Sequence, residues 1–162
     1  MPSAVPARLV RPLVALSLAV AAACSPGGDP TSPGAVTTTG SYSLTGIGQN
    51  DAAPCGVSSA QSCTLTGTGA NTIVVKSGSL SLMSNGSFTM TVNGTRNGAT
   101  AVVGTAAGSY TETATGLNLS VTGVPAAIPA TWTTNRAQLI FVLPGQTFGM
   151  TSGTALVVFE KS

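Results

Sequence analysis

The stretch "SGSLSLMSNGSFTMTV", Ser77–Val92, decides the fold, because its apolar residues alternate with serine and threonine on both sides of a turn signal. Alternation of this kind is typical of a β-strand that buries one face. An Asn-Gly pair between two such runs is a strong signal for a β-hairpin. The stretch therefore predicts two antiparallel strands with one apolar face and one face of serine and threonine.

The register of this hairpin follows from the direction in which its apolar residues point. A two-residue turn would place Leu80 and Leu82 on the face opposite Phe88. A three-residue loop, 84–86, instead pairs Leu82 with Phe88 and Leu80 with Met90. Because a slip of one residue would move the whole apolar set into water, we predict the longer loop, with its glycine in a left-handed conformation.

The rest of the chain from Gly40 onward has the same composition of threonine, serine, glycine and valine, without apolar residues at helical spacing. Turn signals recur every eight to twelve residues or so, which indicates a meander of short antiparallel strands in an all-β domain. The predicted strands are Ser41–Gly46, Ser62–Gly67, Thr72–Met83, Ser87–Thr95, Thr100–Thr113, Leu117–Thr122, Thr131–Thr133, Arg136–Leu143, Thr147–Met150 and Ala155–Glu160.

A second hairpin is predicted in "AGSYTETATGLNLSVTG". A tight turn at Thr115–Gly116 would set Tyr110 opposite Val121 and Glu112 opposite Leu119. The fragment GSY opens a strand both here and at Gly40.

Two later runs, "AQLIFVL" and "TALVVFE", are apolar on both faces and are expected to lie deepest in the fold. Between the second hairpin and these runs stands "VPAAIPATWTT". Pro125 and Pro129 cannot donate a hydrogen bond to a sheet, so we expect this stretch to be a loop or an edge.

The N-terminus is predicted to be a secretory signal. Met1–Pro12 contains Arg8 and Arg11 and no acidic residue, and the eleven residues Leu13–Ala23 are apolar apart from Ser17. A membrane-spanning helix needs roughly 20 apolar residues, so this run is too short to be one. Small residues precede Cys24, in an arrangement that resembles the lipobox of bacterial lipoproteins. The resemblance implies that Cys24 is acylated and becomes the first residue of the mature chain.

Cleavage by the ordinary signal peptidase at an A-x-A site is the alternative, since Ala21 stands where the lipobox usually has leucine. The segment after Cys24 favours the lipoprotein, because a chain rich in serine, proline and glycine makes a flexible tether between a lipid and a domain. We therefore divide the chain into a signal peptide, residues 1–23, a lipid-anchored tether, residues 24–38, and a β-domain, residues 39–162. Ser25 after the anchor, by resemblance to Gram-negative lipoproteins, implies the outer membrane facing the periplasm.

The charge of the mature chain excludes one class of partner. Without Met1–Ala23, four basic and four acidic residues remain, so the formal net charge is zero. Proteins that bind nucleic acid need clustered lysine and arginine to neutralise phosphates. Four scattered cations do not provide such a cluster.

Two cysteines are predicted to form a disulfide. Cys55 and Cys63 flank "GVSSAQS", and an extracytoplasmic compartment is oxidising. A redox motif would need Cys-x-x-Cys spacing, and a metal site has no histidine to draw on. We therefore expect a structural disulfide that closes a short loop.

The sequence offers little for catalysis. It has no histidine, which is the commonest general base and metal ligand. Asp29 lies in the tether, Glu160 lies near the C-terminus, and no spacing brings Asp51 and Glu112 together. No G-x-S-x-G motif or phosphate-binding loop is present. We therefore predict a protein that is not an enzyme and that uses no cofactor and no metal.

The secreted leader, "GSYSLTGI", "SGSLSLMSNGSFTMTV", "GSYTETATGLNLSV" and the closing "ALVVFEKS" together resemble the small lipocalin-like domains of bacterial lipoproteins. The resemblance covers roughly residues 36–162. It implies an up-and-down antiparallel barrel of about eight strands, in which the last strand lies beside the first and no sheet edge remains. The cysteine-bearing insert after the first strand and the proline stretch depart from that pattern.

Small barrels either fill their interior with side chains or hold one small apolar ligand. The sequence therefore leaves two functions open: binding of a small hydrophobic molecule inside the barrel, or a structural or protein-interaction role in the envelope with a packed barrel. Candidate contacts with a ligand or partner are Trp132, the only tryptophan, together with Tyr110 and Phe88. The residues predicted to point inward are Leu80, Leu82, Phe88, Met90, Val92, Tyr110, Leu119, Val121, Phe141 and Val158.

Overall fold

The computed structural model describes residues 37–133 and 136–162. The predicted signal peptide, the predicted acylation site Cys24 and the predicted tether as far as Val36 lie outside the described residues. The described part is an all-β fold, as predicted. Its strands are β1 (Gly40–Gln49), β2 (Cys55–Gly56), β3 (Cys63–Thr66), β4 (Thr72–Leu82), β5 (Ser87–Arg96), β6 (Ala99–Glu112), β7 (Gly116–Val121), β8 (Ile128–Trp132), β9 (Gln138–Pro144) and β10 (Thr154–Lys161).

Eight of these strands close into an antiparallel barrel. Strands β4 to β10 follow one another around the wall in chain order, and β1 completes it between β10 and β4. Tyr42 of β1 pairs with Lys161 of β10 on one side and with Leu80 of β4 on the other. The prediction of a closed up-and-down barrel is therefore confirmed. In the described residues no helix is long or apolar enough to span a membrane.

Strands β2 and β3 belong to the cysteine-bearing insert. They pair with β1 and β4 where these two barrel strands separate from each other, a place that we call the split. β1 and β4 pair directly only over Gly40–Ser43. Beyond that point β2 pairs with β1 and β3 pairs with β4. The disulfide between Cys55 and Cys63 joins the two inserted strands, as predicted. It connects both sides of the split covalently.

The first hairpin has the predicted register. Leu82 pairs with Phe88 and Leu80 with Met90, and all four side chains are buried. Gly86 has a positive φ of 80°. This conformation is one that glycine adopts without the steric cost that a Cβ atom adds.

The second hairpin differs from the prediction by two residues. Tyr110 pairs with Leu119 and Glu112 pairs with Leu117, because the chain turns at Ala114 and Thr115. Since side chains along a strand alternate with a period of two, a shift of two leaves Tyr110 on the predicted inner face.

The predicted strand Thr147–Met150 is wrong. A 3-10 helix, Gly145–Phe148, stands there instead and ends at Gly149, whose φ is 72°. Phe148 and Met150 are both buried in the end of the barrel. Folding back into the barrel buries two large side chains, which an added strand on the wall would not achieve.

Of the two prolines expected in a loop or at an edge, Pro125 lies in the loop between β7 and β8, and Pro129 lies within β8. It pairs with Asn118 of β7, but the ladder between β8 and β9 begins only at Ala130. Pro129 therefore lies where β8 has a neighbour on one side only, which is the position in a sheet that tolerates a missing N–H.

The two last apolar runs, which were expected to lie deepest, are completely buried on one face only. On β9, Leu139, Phe141 and Leu143 point inward, whereas Val142 is 39% exposed on the outside. On β10, Val158 is shielded but does not belong to the barrel core, because Val157 and Phe159 on either side of it point inward. The other nine residues predicted to point inward do belong to the core.

Candidate functional site

The interior of the barrel is filled by its own side chains. Each of the eight barrel strands contributes inward-pointing side chains, and several of these side chains are 0% exposed. The largest fully buried side chains are Tyr42, Phe88, Phe148, Phe159, Ile47, Ile73, Leu80, Met90, Leu117, Leu119, Leu139 and Leu143. The interior is therefore a packed core, and the clefts among the described residues open to the outside.

One end of the barrel, which we call the aromatic end, carries the turns after β4, β6 and β8. Tyr42 donates a hydrogen bond from its hydroxyl to the carbonyl oxygen of Thr38 at 2.6 Å. Tyr110 donates from its hydroxyl to the carbonyl oxygen of Met83 at 2.8 Å. The ring of Trp132 packs against that of Tyr42, with 5.9 Å between the ring centroids. Thr38, placed in the tether by the sequence analysis, is buried and forms part of this end.

The structure places the three candidate contact residues differently. Tyr110 and Trp132 lie at the aromatic end, where Tyr42 stands beside Trp132. Phe88 is buried in the core, and its ring lies close to the backbone of Gly108. Tyr42 was not among the predicted contact residues, although the fragment GSY that contains it also contains Tyr110 at its second occurrence.

Burial raises the pKa of both tyrosines above the ordinary value of 10.0. For Tyr110 the second cause is the nearby carboxylate of Glu112, and for Tyr42 the phenol of Tyr110 and then Glu112 contribute. Both phenols are therefore neutral at physiological pH, and each donates a hydrogen bond to a main-chain carbonyl oxygen of the aromatic end.

The opposite end of the barrel carries the larger cleft. A groove of about 580 Å³ lies between β5 and β6 on one side and the loop after β7 on the other, with the turn after β9 as its third wall. No charged side chain is among the described residues that line it; threonine, alanine, valine and proline predominate. We call this cleft the β6 groove.

A smaller apolar cleft of about 300 Å³ adjoins the β6 groove. Val124 and Pro144 belong to both, and Val142 and Pro129 line the smaller one. The two clefts therefore flank the proline-containing loop and form one continuous uncharged surface on the outside of the barrel. The sequence feature that indicates this surface is Val142 in "AQLIFVL", an apolar residue on the strand face opposite to that of Phe141.

The carboxylates do not form a reaction centre in the described part of the chain. Asp51, Glu112 and Glu160 are all exposed. No three histidine, cysteine, aspartate or glutamate side chains lie close enough together there to hold a metal ion. The described residues therefore offer clefts in which binding would depend on shape and on hydrogen bonds to the backbone.

These features define the class of protein as a small closed antiparallel β-barrel with a packed interior and an uncharged groove on its outer wall. Comparison of the chain with models of known protein families, with curated proteins and with solved structures finds no match.

Proposed function

We propose that the chain is a non-catalytic, lipid-anchored protein of the bacterial cell envelope that binds a protein partner through the outside of its barrel. The observation that carries this proposal is the packed interior beside an uncharged external groove. A core filled by side chains leaves the outer clefts as the places where another molecule can be bound.

The location rests on the sequence and on the disulfide. The apolar run before Cys24 and the serine- and proline-containing segment after it support acylation of Cys24. The disulfide between Cys55 and Cys63 supports an oxidising compartment. We infer that the barrel is anchored to the outer membrane and faces the periplasm, because Ser25 follows the anchor as it does in the Gram-negative lipoproteins that this segment resembles.

Binding of a small hydrophobic molecule within the barrel is the function that the packed interior disfavours. Leu80, Leu119 and Leu139 are completely buried among other side chains, where such a ligand would have to lie. A ligand at that place would have to displace them.

Native and intact mass spectrometry of the protein purified from its own membranes tests both parts of the proposal. We expect the acylated chain to have lost Met1–Ala23, and we expect no stoichiometric small molecule in the native spectrum. The variant Cys24→Ala should appear without acyl chains. A bound hydrophobic molecule would support the carrier function instead, and an unacylated wild-type chain would refute the anchor.

A photo-crosslinking amino acid introduced in living cells tests the partner. Ala127 is exposed in the smaller apolar cleft, and Thr64 is exposed on β3, which lines neither cleft. We expect a discrete protein adduct from position 127 and none from position 64. Equal labelling at both positions, or none at either, would contradict an interaction through this surface.

A further inference from the structure

Strand β6 has an unpaired edge inside the β6 groove. β6 has 14 residues, but β7 pairs with it only over Gly108–Glu112. After Val121 the chain turns away at Gly123, which has a φ of 83°. The part of β6 before Gly108 therefore has β5 on one side and no strand on the other. Within the β6 groove this edge comprises Thr105, Ala106 and Ala107, which at 3.4 Å per residue is about 10 Å.

The backbone groups on this edge can be assigned from the ladder. The N–H of Thr122 donates to the carbonyl oxygen of Ala107 at 2.8 Å, so the backbone groups of Ala107 point away from β5. Backbone groups of alternate residues in an antiparallel strand point to the same side. Those of Thr105 therefore point into the groove. Within residues 37–133 and 136–162, the structure gives the N–H and C=O of Thr105 and the N–H of Ala107 no hydrogen-bond partner.

The walls of the groove restrict what can reach this edge. The loop at Val124 and Pro125 stands on one side, and Pro144 and Gln146 stand on the other. The edge is thus recessed between two walls. Because the lining is uncharged, a charged side chain entering it would lose water without gaining a counter-charge.

We propose that the β6 groove binds an extended, uncharged segment of a partner polypeptide, which adds to β6 as a further strand. This inference rests on the proposed function and names the site and the chemistry of the partner. Main-chain hydrogen bonds to Thr105 and Ala107 hold the segment, and small side chains fit the threonine and alanine lining. Strand addition of this kind is a general mode of peptide recognition by an exposed sheet edge.

Two other occupants fit the groove less well. A second copy of the barrel would bring its own β6 edge between the same pair of walls, so the walls would collide. The chain before Thr37 contains Pro26, Pro30 and Pro33, which lack the N–H that a strand must donate. The described chain also begins at the aromatic end, which is the opposite end of the barrel from the groove.

Amide hydrogen exchange of the ¹⁵N-labelled protein, purified from membranes in detergent, tests the free edge directly. In the free protein we expect the N–H of Thr105 and Ala107 to exchange at least 100-fold faster than that of Ala106, which points toward β5. The probe is the capped peptide Ac-TVTATV-NH₂. On its addition, the N–H of Thr105 should become protected at least 10-fold. Equal protection of all three amides without peptide would overturn the proposal.

Backbone-modified peptide and two protein variants separate strand addition from apolar contact. The same peptide with N-methyl groups on alternate residues retains its side chains but should bind at least 10-fold more weakly. Thr105→Pro removes the groove-facing N–H without removing a hydrogen bond to β5, and should weaken binding by the same factor. Gln146→Trp fills the groove from an exposed position and leaves β6 unchanged, so it serves if the proline variant does not fold.

The outcomes also separate this inference from the proposed function. Loss of peptide binding in Thr105→Pro, with loss of the cellular adduct from position 127, supports both. An adduct that persists in Thr105→Pro cells overturns the strand-addition site but leaves the interaction function standing. Peptide binding that is indifferent to N-methylation overturns strand addition as the mode of binding.

Discussion

Cys55 pairs with Ile47 of β1, and Cys63 pairs with Val75 of β4, so the disulfide spans the place where β1 and β4 separate. Ile47 and Val75 are completely buried just inside this place. The disulfide thus holds two short strands over the core, where the barrel wall would otherwise be open.

We expect removal of this disulfide to destabilise the barrel. The variant Cys55→Ser with Cys63→Ser should lower the free energy of unfolding by about 2.5 kcal/mol, the value for closure of so short a loop in the chain-entropy model. Urea unfolding followed by the fluorescence of Trp132 measures this change. Ser62→Ala, at an exposed position in the same loop, is the control and should have little effect. Equal stability of the double variant and the wild type would show that the inserted strands hold without their covalent link.

The register of the first hairpin predicts opposite results at adjacent positions. Leu82 is 2% exposed and faces Phe88, whereas Met83 is 40% exposed in the turn. Leu82→Ala should cost about 2–5 kcal/mol through loss of buried surface and the cavity that remains. Met83→Ala should change stability by about 0.5 kcal/mol at most. A larger loss at Met83 than at Leu82 in urea titrations would contradict the register.

The packing of Phe148 on Gly104 predicts a coupled pair. A Cβ atom added to Gly104 would lie 2.5 Å from the ring of Phe148, so Gly104→Ala should cost about 1–3 kcal/mol by overpacking. Phe148→Leu should relieve this clash. In a double-mutant cycle, the two changes together should therefore cost less than the sum of each alone. Strict additivity would mean that the ring does not contact Gly104.

The two tyrosines predict how stability depends on pH. Burial raises the pKa of both phenols above 10.0 in the folded protein, so the fold favours the protonated form. This contribution to stability is complete below pH 10, the pKa of the unfolded chain, and is lost as the pH rises through the higher pKa values of the folded state.

Absorbance of tyrosinate near 295 nm measures this directly, since the chain has only two tyrosines. The folded protein should titrate at higher pH than the protein in urea. Glu112→Gln should lower the midpoint of Tyr110 without returning it to the unfolded value, because burial is the larger cause. A folded protein that titrates together with the unfolded one would place both hydroxyls in water.

The sequence was sufficient to predict the parts of the fold that depend on local pattern. Alternation of apolar residues gave the strands, and the requirement that these residues share one face gave the register from Leu80 to Met90. The disulfide followed from two cysteines a few residues apart. Tyr110 was placed on the inner face even though its register was wrong, because a shift of two residues preserves the face.

The candidate site was less predictable, because it depends on where neighbouring strands end. The residues of β6 do not indicate that β7 is shorter than β6. The unpaired backbone groups of Thr105 therefore could not be predicted from the sequence around Thr105. Phe148 was taken for part of a strand because its burial comes from Gly104, which is distant in the chain. The run that contains Val142 was expected to lie deepest because hydrophobicity alone does not state which face of a strand meets water.

The sequence by itself determined that this chain forms an all-β domain with a disulfide, since period-two burial and turn chemistry are properties of short segments. The closed barrel was implied only by a resemblance. Only the tertiary structure decided that the barrel interior is filled and that an uncharged groove opens beside β6. Both depend on the lengths of strands relative to their neighbours and on contacts between residues far apart in the chain, which no local pattern encodes.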